Sequence, residues 1–438
     1  MSRSRKFELV SVNMAWLAGD RVFRSIVGVV VLGAVARYLG PSQFGSLNYA
    51  ISLAAIFSTV ASLGFEGIVI RELVKRPDKV PEVLGTAFVM RLGGAVATIG
   101  LVAGAAALST EKELIKPLML VVSLAFLPQS FEVIDLWFQK NIQSKYTVAA
   151  KAVGVLVSAG IKLGLVAAKA PLVVFGATVI LDALLNAVAL VFIFRRSGQS
   201  IGRWRFCGPI ARLLLQDSWP LMLSGVLVAF YMRIEQVLVM NKLGEHTAGI
   251  YFAAVRVTDV WGFLPGLILA SIYPLLAQKR VEDRVAYLPR MQMAFDLVTG
   301  LGYVIAVAVS LASPILIRSI YGLRYQDAIP ILAVRAWTAP IVFSGTVRAQ
   351  YFLLERKTIY HIWSALIGIA CNIGIALALM PRIGAMGAVL SSMIGYWISG
   401  YLTSLMFPSL RECLGLQTKA FLLPFRLRVF LKELGQLR

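Results

Sequence analysis

The fold is decided by the stretch from Asn13 to Glu72, which reads NMAWLAGDRVFRSIVGVVVLGAVARYLGPSQFGSLNYAISLAAIFSTVASLGFEGIVIRE. It holds two long apolar runs, joined by the short turn GPSQFG at residues 40–45. Each run exceeds the roughly 20 apolar residues that an α-helix needs to cross the hydrocarbon core of a bilayer. The stretch therefore predicts two consecutive transmembrane helices.

Charged side chains interrupt both of these apolar runs. Asp20, Arg21 and Arg24 lie in the first run, and Glu66 lies in the second. An ionisable group near the centre of a membrane helix costs on the order of 3 kcal/mol, so a helix surrounded only by lipid would not retain them. On a helix, Asp20, Arg24 and Gly28 share a face because they are spaced four residues apart. We therefore expect this face to line a water-filled cavity that the rest of the chain builds.

The composition is that of a helical membrane protein. Of the 438 residues 58% are hydrophobic, the mean hydropathy is +0.78 and only 15% are charged, against about a quarter in soluble domains. Apolar runs of this length favour helices, because every backbone polar group in lipid needs a partner within the protein. We attribute the net charge of +21 to basic loops on the cytoplasmic side rather than to nucleic-acid binding. Two histidines and three widely separated cysteines predict no metal site and no cofactor.

The apolar pattern predicts twelve transmembrane helices. Their predicted bounds are 12–38, 44–71, 83–108, 116–139, 146–168, 171–194, 217–241, 248–277, 288–317, 328–354, 357–380 and 384–407. With the N-terminus inside, the cytoplasmic segments hold about 25 lysines and arginines and the opposite side about 8. Because positively charged loops stay in the cytoplasm, this bias predicts that both termini are cytoplasmic, in agreement with an even number of helices.

A weak repeat divides the chain into two halves. The Leu-Gly pair at 39–40 recurs at 243–244, and the Gly-Ala pair at 176–177 recurs at 387–388. Chance placement of glycine at helix starts is the alternative explanation. The repeat predicts two parallel copies related by an axis along the membrane normal. The predicted divisions are an N-terminal six-helix lobe at 1–205, a C-terminal six-helix lobe at 206–410 and a cytoplasmic amphipathic tail at 411–438.

Further ionisable residues fall inside the predicted helices. Pairing between helices is the simplest explanation for each, and Asp20–Arg24 and Arg256–Asp259 also have the spacing of intrahelical pairs. A cavity with exposed guanidinium groups would also attract an anion such as a diphosphate, since the planar fork of arginine binds phosphate oxygens in pairs. The candidate substrate-binding residues are Arg21, Arg24, Arg91, Lys151, Arg233, Arg256, Arg335 and Arg348. The candidates for ion coupling or gating, where burial favours uptake of a proton or cation, are Asp20, Glu66, Glu132, Asp135, Asp259 and Asp296.

Several short motifs resemble those of one known family of membrane proteins. They are ARYLGP at 36–41, FG at 44–45, RE at 71–72, LG at 243–244, AGIY at 248–251 and YP at 273–274. In these motifs the chain is similar to the Wzx-type O-antigen and polysaccharide flippases. These flippases belong to the multidrug/oligosaccharidyl-lipid/polysaccharide exporter (MOP) superfamily.

This resemblance implies an all-α polytopic membrane protein with 12 transmembrane helices in two six-helix lobes around a central cavity. It implies a secondary transporter that moves an undecaprenyl-diphosphate-linked oligosaccharide from the cytoplasmic to the periplasmic leaflet of a bacterial inner membrane. Alternating access, driven by a gradient of H⁺ or Na⁺, is the implied mechanism. Besides the oligosaccharide and membrane lipids, the candidate partners are a polysaccharide polymerase and a chain-length regulator, and nucleic acid is not expected.

Three other functions stay open. Lipid II flippases of the same superfamily generally have fourteen helices, whereas twelve are predicted here. A drug exporter with cationic cargo would favour acidic residues over the arginines that lie deep in these helices. A membrane-bound polysaccharide polymerase or glycosyltransferase would need a large catalytic loop or a metal-binding Asp-x-Asp motif, and the sequence shows neither.

Overall fold

The computed structural model describes residues 3–108 and 115–426, with the side chains of 22–108 and 115–426 except that of Pro274. Within these ranges every regular element is a helix. Nine helical segments of the described chain are long and apolar enough to cross a membrane. The prediction of an all-α polytopic membrane protein is therefore confirmed, while the count of twelve helices and the side of the termini stay predictions.

The helices form two compact units, Met1–Asn241 (unit 1) and Lys242–Arg438 (unit 2). The α-helices that begin in unit 1 are Arg3–Ser62 (α1), Glu66–Lys75 (α2), Val80–Leu108 (α3), Ile115–Ser123 (α4), Phe126–Gln129 (α5), Val133–Lys140 (α6), Ser144–Ala167 (α7), Leu172–Arg196 (α8) and Gly208–Asp259 (α9), of which α9 continues into unit 2. Those of unit 2 are Leu264–Glu282 (α10), Arg284–Ile320 (α11), Ala328–Arg335 (α12), Ala339–Leu354 (α13), Thr358–Ile383 (α14), Ala385–Trp397 (α15), Thr403–Met406 (α16) and Arg411–Phe421 (α17). A π-helix, Ile398–Leu402, joins α15 to α16. The helix α9 contributes residues to both units. The lobe boundary predicted from the sequence, between residues 205 and 206, stays a prediction.

Two of the candidate membrane spans are far longer than one crossing requires. Val22–Lys75 has 54 residues and Gly208–Tyr273 has 66, each more than twice the roughly 20 residues of a single crossing. Each is broken by a glycine with φ in the left-handed region: Gly40 has φ 71° and ψ 172°, and Gly244 has φ 81° and ψ 173°. Only glycine adopts such angles without strain. The same break recurs 204 residues apart, the offset of the Leu-Gly repeat in the sequence.

The second predicted helix, 44–71, is interrupted near its end. Leu63 and Gly64 both have positive φ, so α1 ends at Ser62 and α2 starts at Glu66. A Cβ atom added to Gly64 would lie 3.1 Å from the backbone nitrogen of Met222 in α9. The break therefore lets the chain pass close to the backbone of another helix, which a pattern of apolar residues cannot reveal.

The Arg71-Glu72 motif lies at the end of α2. Glu72 is only 3% exposed, and its carboxylate oxygens lie 3.2 Å from Arg71 Nε, 3.2 Å from Arg76 Nε and 3.8 Å from Lys75 Nζ. Arg71 also pairs with Asp217 of α9. The motif therefore holds this end of α2 and joins it to α9 within unit 1.

The described part of the tail, α17, packs deeply into unit 2. The amide of Gln417 is fully buried and donates to Ser344 Oγ at 3.1 Å and to the carbonyl of Gly400 at 3.0 Å. In turn, the amide of Gln292 in α11 donates to the carbonyl of Leu416 at 3.1 Å. Residues of α17 share an apolar core with α11 and α13 that includes Phe295, Val298, Phe343, Val347, Cys413 and Ala420. The predicted amphipathic tail thus begins with a helix that has a buried face, and residues 427–438 lie outside the described part.

A network of charged residues joins four helices at one end of unit 2. Arg280 of α10 donates to both carboxylate oxygens of Glu355 at 2.9 and 3.4 Å, next to the end of α13. Arg284 of α11 lies 3.3 Å from Glu412 of α17, which also accepts a hydrogen bond of 2.9 Å from Tyr351. The hydrogen bonds with Glu355 raise the pKa of Arg280 above its ordinary value. Since Arg280 and Arg284 are among the basic residues that the sequence places in cytoplasmic segments, the network is expected to face the cytoplasm.

The predicted orientation can be tested at Cys207, which is half-buried in the connection between α8 and α9. In a variant that retains only this cysteine, a membrane-impermeant maleimide should label inside-out vesicles and spare right-side-out vesicles. Cys413 is fully buried, so a variant that retains only Cys413 should react only after denaturation. Labelling of Cys207 from the outside would contradict the predicted orientation.

Candidate functional site

A cavity of about 510 Å³ lies inside unit 1. Its walls come from α1, α7 and α8 and from the segment around α5. Among the residues whose side chains the structure describes, five charged ones line it, three basic and two acidic: Arg24, Lys151, Lys162, Glu132 and Asp182. The uncharged polar residues of its lining are Gln129, Ser158, Thr178 and Asn186. The cavity is therefore a partly open, mainly apolar space between helices, with nine polar or charged side chains among its described lining residues.

One ion pair in the cavity joins α7 to α8. Lys162 Nζ lies 2.6 Å from Asp182 Oδ2, and Ser158 donates to the other carboxylate oxygen. The side chain of Asp182 is 43% exposed and that of Lys162 is 22% exposed, so both remain accessible from the cavity. An accessible pair of this kind can exchange partners with a ligand more easily than a pair sealed inside the protein.

A second ion pair lies further along the same helix. Lys151 Nζ is 2.8 Å from Asp135 Oδ2 of α6, with the two side chains 15% and 17% exposed. Gln139 donates to the same carboxylate oxygen at 3.3 Å. Next to this pair, Arg91 of α3 lies 3.6 Å from Glu132, and its side chain is only 5% exposed.

The spacing along α7 explains why both lysines reach the cavity. Residues 151, 154, 158 and 162 are separated by three or four positions and so lie on one face of the helix. Gly154 packs beside α8, since a Cβ atom there would make an ordinary van der Waals contact with Leu185 at 3.6 Å. The lysines sit on either side of this contact and extend into the cavity.

Two predicted arginines are buried in unit 2. Arg335 is 5% exposed and donates to Tyr251 Oη at 3.0 Å, Thr258 Oγ1 at 3.3 Å and Ser392 Oγ at 3.4 Å.

Arg348 is 3% exposed and is surrounded by neutral acceptors. It donates to the carbonyl of Ser399 in the π-helix, to Ser364 Oγ at 3.0 Å and to Thr403 Oγ1 at 3.1 Å. Its guanidinium carbon lies 4.6 Å from the ring centroid of Phe352. Both arginines therefore have polar surroundings inside unit 2 that are separate from the cavity of unit 1.

The structure brings together five of the predicted site residues. Arg24, Glu132 and Lys151 line the cavity, and Arg91 and Asp135 contact two of these residues. The other predicted site residues that the structure describes do not line this cavity. Glu66 is exposed at the start of α2, and Arg233 of α9 donates to Gln236 at 3.3 Å. In unit 2, Arg256 and Asp259 lie in α9, Asp296 is fully buried in α11, and Arg335 and Arg348 are buried as described above. The side chains of Asp20 and Arg21 lie outside the described part of the structure.

The candidate set predicted from the sequence omitted two charged residues of the cavity, Lys162 and Asp182. The helical spacing of Lys162 from Lys151 was a usable signal for the first. Asp182 and Asn186 are four residues apart on α8 and therefore share a face, which was the signal for the second. Pairing between Lys162 and Asp182 depends on how α7 packs against α8, and no local pattern encodes that.

Comparison with solved structures shows the same fold in two kinds of transporter. An inward-facing multidrug resistance MATE family transporter of the MOP superfamily matches with a TM-score of 0.68 and 14% identity, covering 90% of this chain and 96% of that one. The lipid II flippase MurJ in an inward closed conformation matches with a TM-score of 0.61 and 16% identity, covering 95% of each chain. A eukaryotic MATE transporter, AtDTX14, matches with a TM-score of 0.59 and 12% identity, covering 94% of this chain and 99% of that one.

The sequence itself matches a family profile over most of its length. A search of curated proteins finds no match. The family described as "Polysaccharide biosynthesis protein" matches residues 34–330, which is more than half of the chain and includes most of the cavity lining. The resemblance drawn from the short motifs is thereby confirmed at the level of family and fold. This multi-pass membrane protein belongs to the polysaccharide biosynthesis protein family and has the fold of the MOP superfamily.

Proposed function

We propose that the protein is a flippase for an undecaprenyl-diphosphate-linked oligosaccharide in a bacterial inner membrane. It moves this lipid from the cytoplasmic to the periplasmic leaflet and makes or breaks no covalent bond. The observation that supports this function best is the charged cavity of unit 1, in a chain whose family is that of polysaccharide biosynthesis. A protein that only anchors or scaffolds has no need of five ionisable residues around one internal space.

The chemistry of the cavity suits a diphosphate head group. Its volume of about 510 Å³ lies within the range of roughly 300–1,000 Å³ found for ligand pockets. Arg24 provides a planar fork that binds two phosphate oxygens at once, and Lys151 and Lys162 provide compact ammonium charges. The polar lining offers further hydrogen bonds to phosphate or to the first sugar.

Among the described lining residues, the excess of basic over acidic side chains favours an anionic cargo. A cationic drug would be repelled by three basic side chains facing two carboxylates. Lipid II also carries a diphosphate, so the cavity by itself supports both lipids. The family supports the oligosaccharide, and competition between the two lipids in one assay distinguishes them.

Arg24 provides the direct test of this function. Purified protein in proteoliposomes should make an undecaprenyl-diphosphate-linked oligosaccharide on one leaflet accessible to a sugar-binding probe on the other. The Arg24→Ala variant should flip at least about tenfold more slowly, since a charge-assisted bidentate contact contributes about 1.5–3 kcal/mol. Arg24→Lys should retain part of the rate, because lysine keeps the charge and loses the fork.

The matched control is Arg324→Ala, which removes an exposed arginine outside the cavity and should leave the rate unchanged. An unchanged flipping rate in the Arg24→Ala variant would show that the lipid does not pass through this cavity. Flipping of lipid II in preference to the oligosaccharide would replace the proposed cargo.

A gradient of H⁺ or Na⁺ is the proposed driving force, with the carboxylates of the cavity as the coupling groups. Imposing each gradient separately across the proteoliposome membrane identifies the ion. A flipping rate that ignores both gradients would show that transport follows the lipid gradient alone.

A further inference from the structure

The π-helix Ile398–Leu402, which joins α15 to α16, is bonded by side chains from two other helices of unit 2. We propose that this segment is a register switch in the predicted twelfth membrane helix, and that the tail helix α17 controls it. With α17 docked, the segment keeps its π form. When α17 withdraws, the segment closes into an α-helix and turns α16 about its axis. The switch does not rest on the proposed cargo.

The backbone of the π-helix contains a shifted hydrogen bond. The N–H of Thr403 donates to the carbonyl of Ile398, five residues back. In an α-helix it would donate to Ser399, four residues back. Side chains serve the carbonyl of Ser399 instead: Arg348 Nη1 donates to it, and so does Thr403 Oγ1 at 3.0 Å. A membrane helix can keep an irregular turn only where the protein itself supplies such donors, because water is absent.

Arg348 of α13 is the charged donor of this arrangement. Its side chain is 3% exposed, and its hydrogen-bond acceptors within the described residues are all neutral. A guanidinium buried among neutral groups is costly to keep in a membrane protein. The charge-assisted bond to the carbonyl of Ser399 is the return for that cost, because it replaces the amide that the π turn has redirected.

The tail helix α17 contacts the same segment through Gln417. This fully buried amide donates to the carbonyl of Gly400 at 3.0 Å and to Ser344 Oγ of α13 at 3.1 Å. Gly400 directly follows Ser399, and Ser344 lies four residues before Arg348 on the same face of α13. Withdrawal of α17 therefore removes a donor from the π-helix, next to the carbonyl that Arg348 holds.

The start of α17 is attached by contacts that can open. Arg284 Nη2 lies 3.3 Å from Glu412 Oε2, and the two side chains are 60% and 34% exposed. Lys357 Nζ donates to the carbonyl of Ser409 at 2.6 Å, also at an exposed position. Exposed ion pairs contribute little stability and are screened by salt. Separation of this end leaves no charge buried without a partner, so α17 can move while unit 2 stays folded.

Closing the π-helix would change which residue faces α14. An α-helix advances by roughly 100° for each residue, and a π turn contains an additional residue. At present Thr403 is 1% exposed and its Oγ1 lies 2.9 Å from Ser364 Oγ of α14, whereas Leu402 is 42% exposed. Closing turns the chain forward by about one residue position, so that Leu402 takes the place of Thr403 beside Ser364.

Disulfide crosslinking in full-length protein in lipid nanodiscs reads this register without any substrate. The Ser364→Cys/Thr403→Cys pair reports the π form, and the Ser364→Cys/Leu402→Cys pair reports the α form. Cys207 and Cys371 are replaced by serine and alanine, while the fully buried Cys413 stays. After oxidation with copper phenanthroline, mass spectrometry of the linked peptides should show at least about fivefold more of the first disulfide, because only that pair has facing side chains.

Two substitutions should reverse this preference. Gln417→Met keeps the length of the side chain and removes the amide that reaches the π-helix. Arg348→Met removes the charged donor to Ser399. The matched control is Gln326→Met, which makes the same chemical change at an exposed site of unit 2 and should keep the preference of the wild type.

Deletion of Leu402 provides a suppressor. It removes the additional residue at an exposed position, so the segment can form an α-helix without turning α16. In the Gln417→Met and Arg348→Met variants this deletion should restore the disulfide between positions 364 and 403.

A Gln417→Met variant that keeps the preference of the wild type would overturn control by α17, whatever Arg348→Met does. If either substitution prevents folding, the deletion of Leu402 should restore a monodisperse protein. Failure of that rescue would overturn the switch as well.

Discussion

Replacing Gly94 by leucine is expected to destabilise unit 1 by about 3 kcal/mol or more, because it forces two helices apart. Gly94 is buried in α3, where an added Cβ atom would lie 2.6 Å from the carbonyl oxygen of Val60 and 3.0 Å from that of Ala61 in α1. These atoms are backbone and cannot move aside as a flexible side chain would. Small residues at helix contacts allow this close approach in membranes, and a larger side chain removes it along the whole contact.

The displacement of α3 in the Gly94→Leu variant should also disturb the lining of the cavity. Gly94 lies one turn from Arg91, which contacts Glu132 in the cavity lining. Heating the purified protein and following loss of the monodisperse peak by size-exclusion chromatography should show a midpoint lower by roughly 10 °C. The flipping rate should fall as well.

The preceding residue provides a matched control. Gly93 is exposed on the same helix and has no atom within 4 Å of an added Cβ. Gly93→Leu gains the same helix propensity as Gly94→Leu and should leave the midpoint unchanged or raise it slightly. A similar loss of stability in both variants would show that α3 does not pack against α1 through Gly94.

The second large loss of stability is expected when a charge is introduced on the buried face of α17. Ala420 is fully buried in the core that α17 shares with α11 and α13. Ala420→Arg would place a charge there without a partner, and an uncompensated buried charge costs about 3–5 kcal/mol. We expect this variant to be expressed poorly and to lose its monodisperse peak well below the temperature at which the wild type does.

Gly415→Arg introduces the same side chain on the exposed face of α17, where an added Cβ atom meets no other atom within 4 Å. This variant should be as stable as the wild type. A helix that only rested on the membrane surface would tolerate both changes equally, so comparable stability of the two variants would contradict the docking of α17.

The sequence was sufficient to predict the class of fold and one charged residue on each of three walls of the cavity. Long apolar runs predict membrane helices because a bilayer allows few other structures, and charges inside those runs mark the faces that avoid lipid. Arg24, Glu132 and Lys151 were found in this way. Lys162 and Asp182 were visible as charges, but their pairing depends on the rotation of α7 against α8, which is set by packing.

Two parts of the fold had no readable signal in the sequence. The interruption at Leu63 and Gly64 looks like the middle of an apolar helix until the backbone of α9 is known to pass beside it. The start of the tail is polar and charged, and this composition is typical of an interfacial helix. Its docking rests on hydrogen bonds from Gln417 to groups more than fifteen residues away.

The matching breaks at Gly40 and Gly244 bear on the origin of the chain. Similar backbone angles at positions 204 residues apart are what gene duplication and fusion of an ancestral half-length protein would leave behind. Since each predicted half has an even number of helices, two such ancestors would have inserted in the same orientation. Their fusion then needed no inversion of either copy.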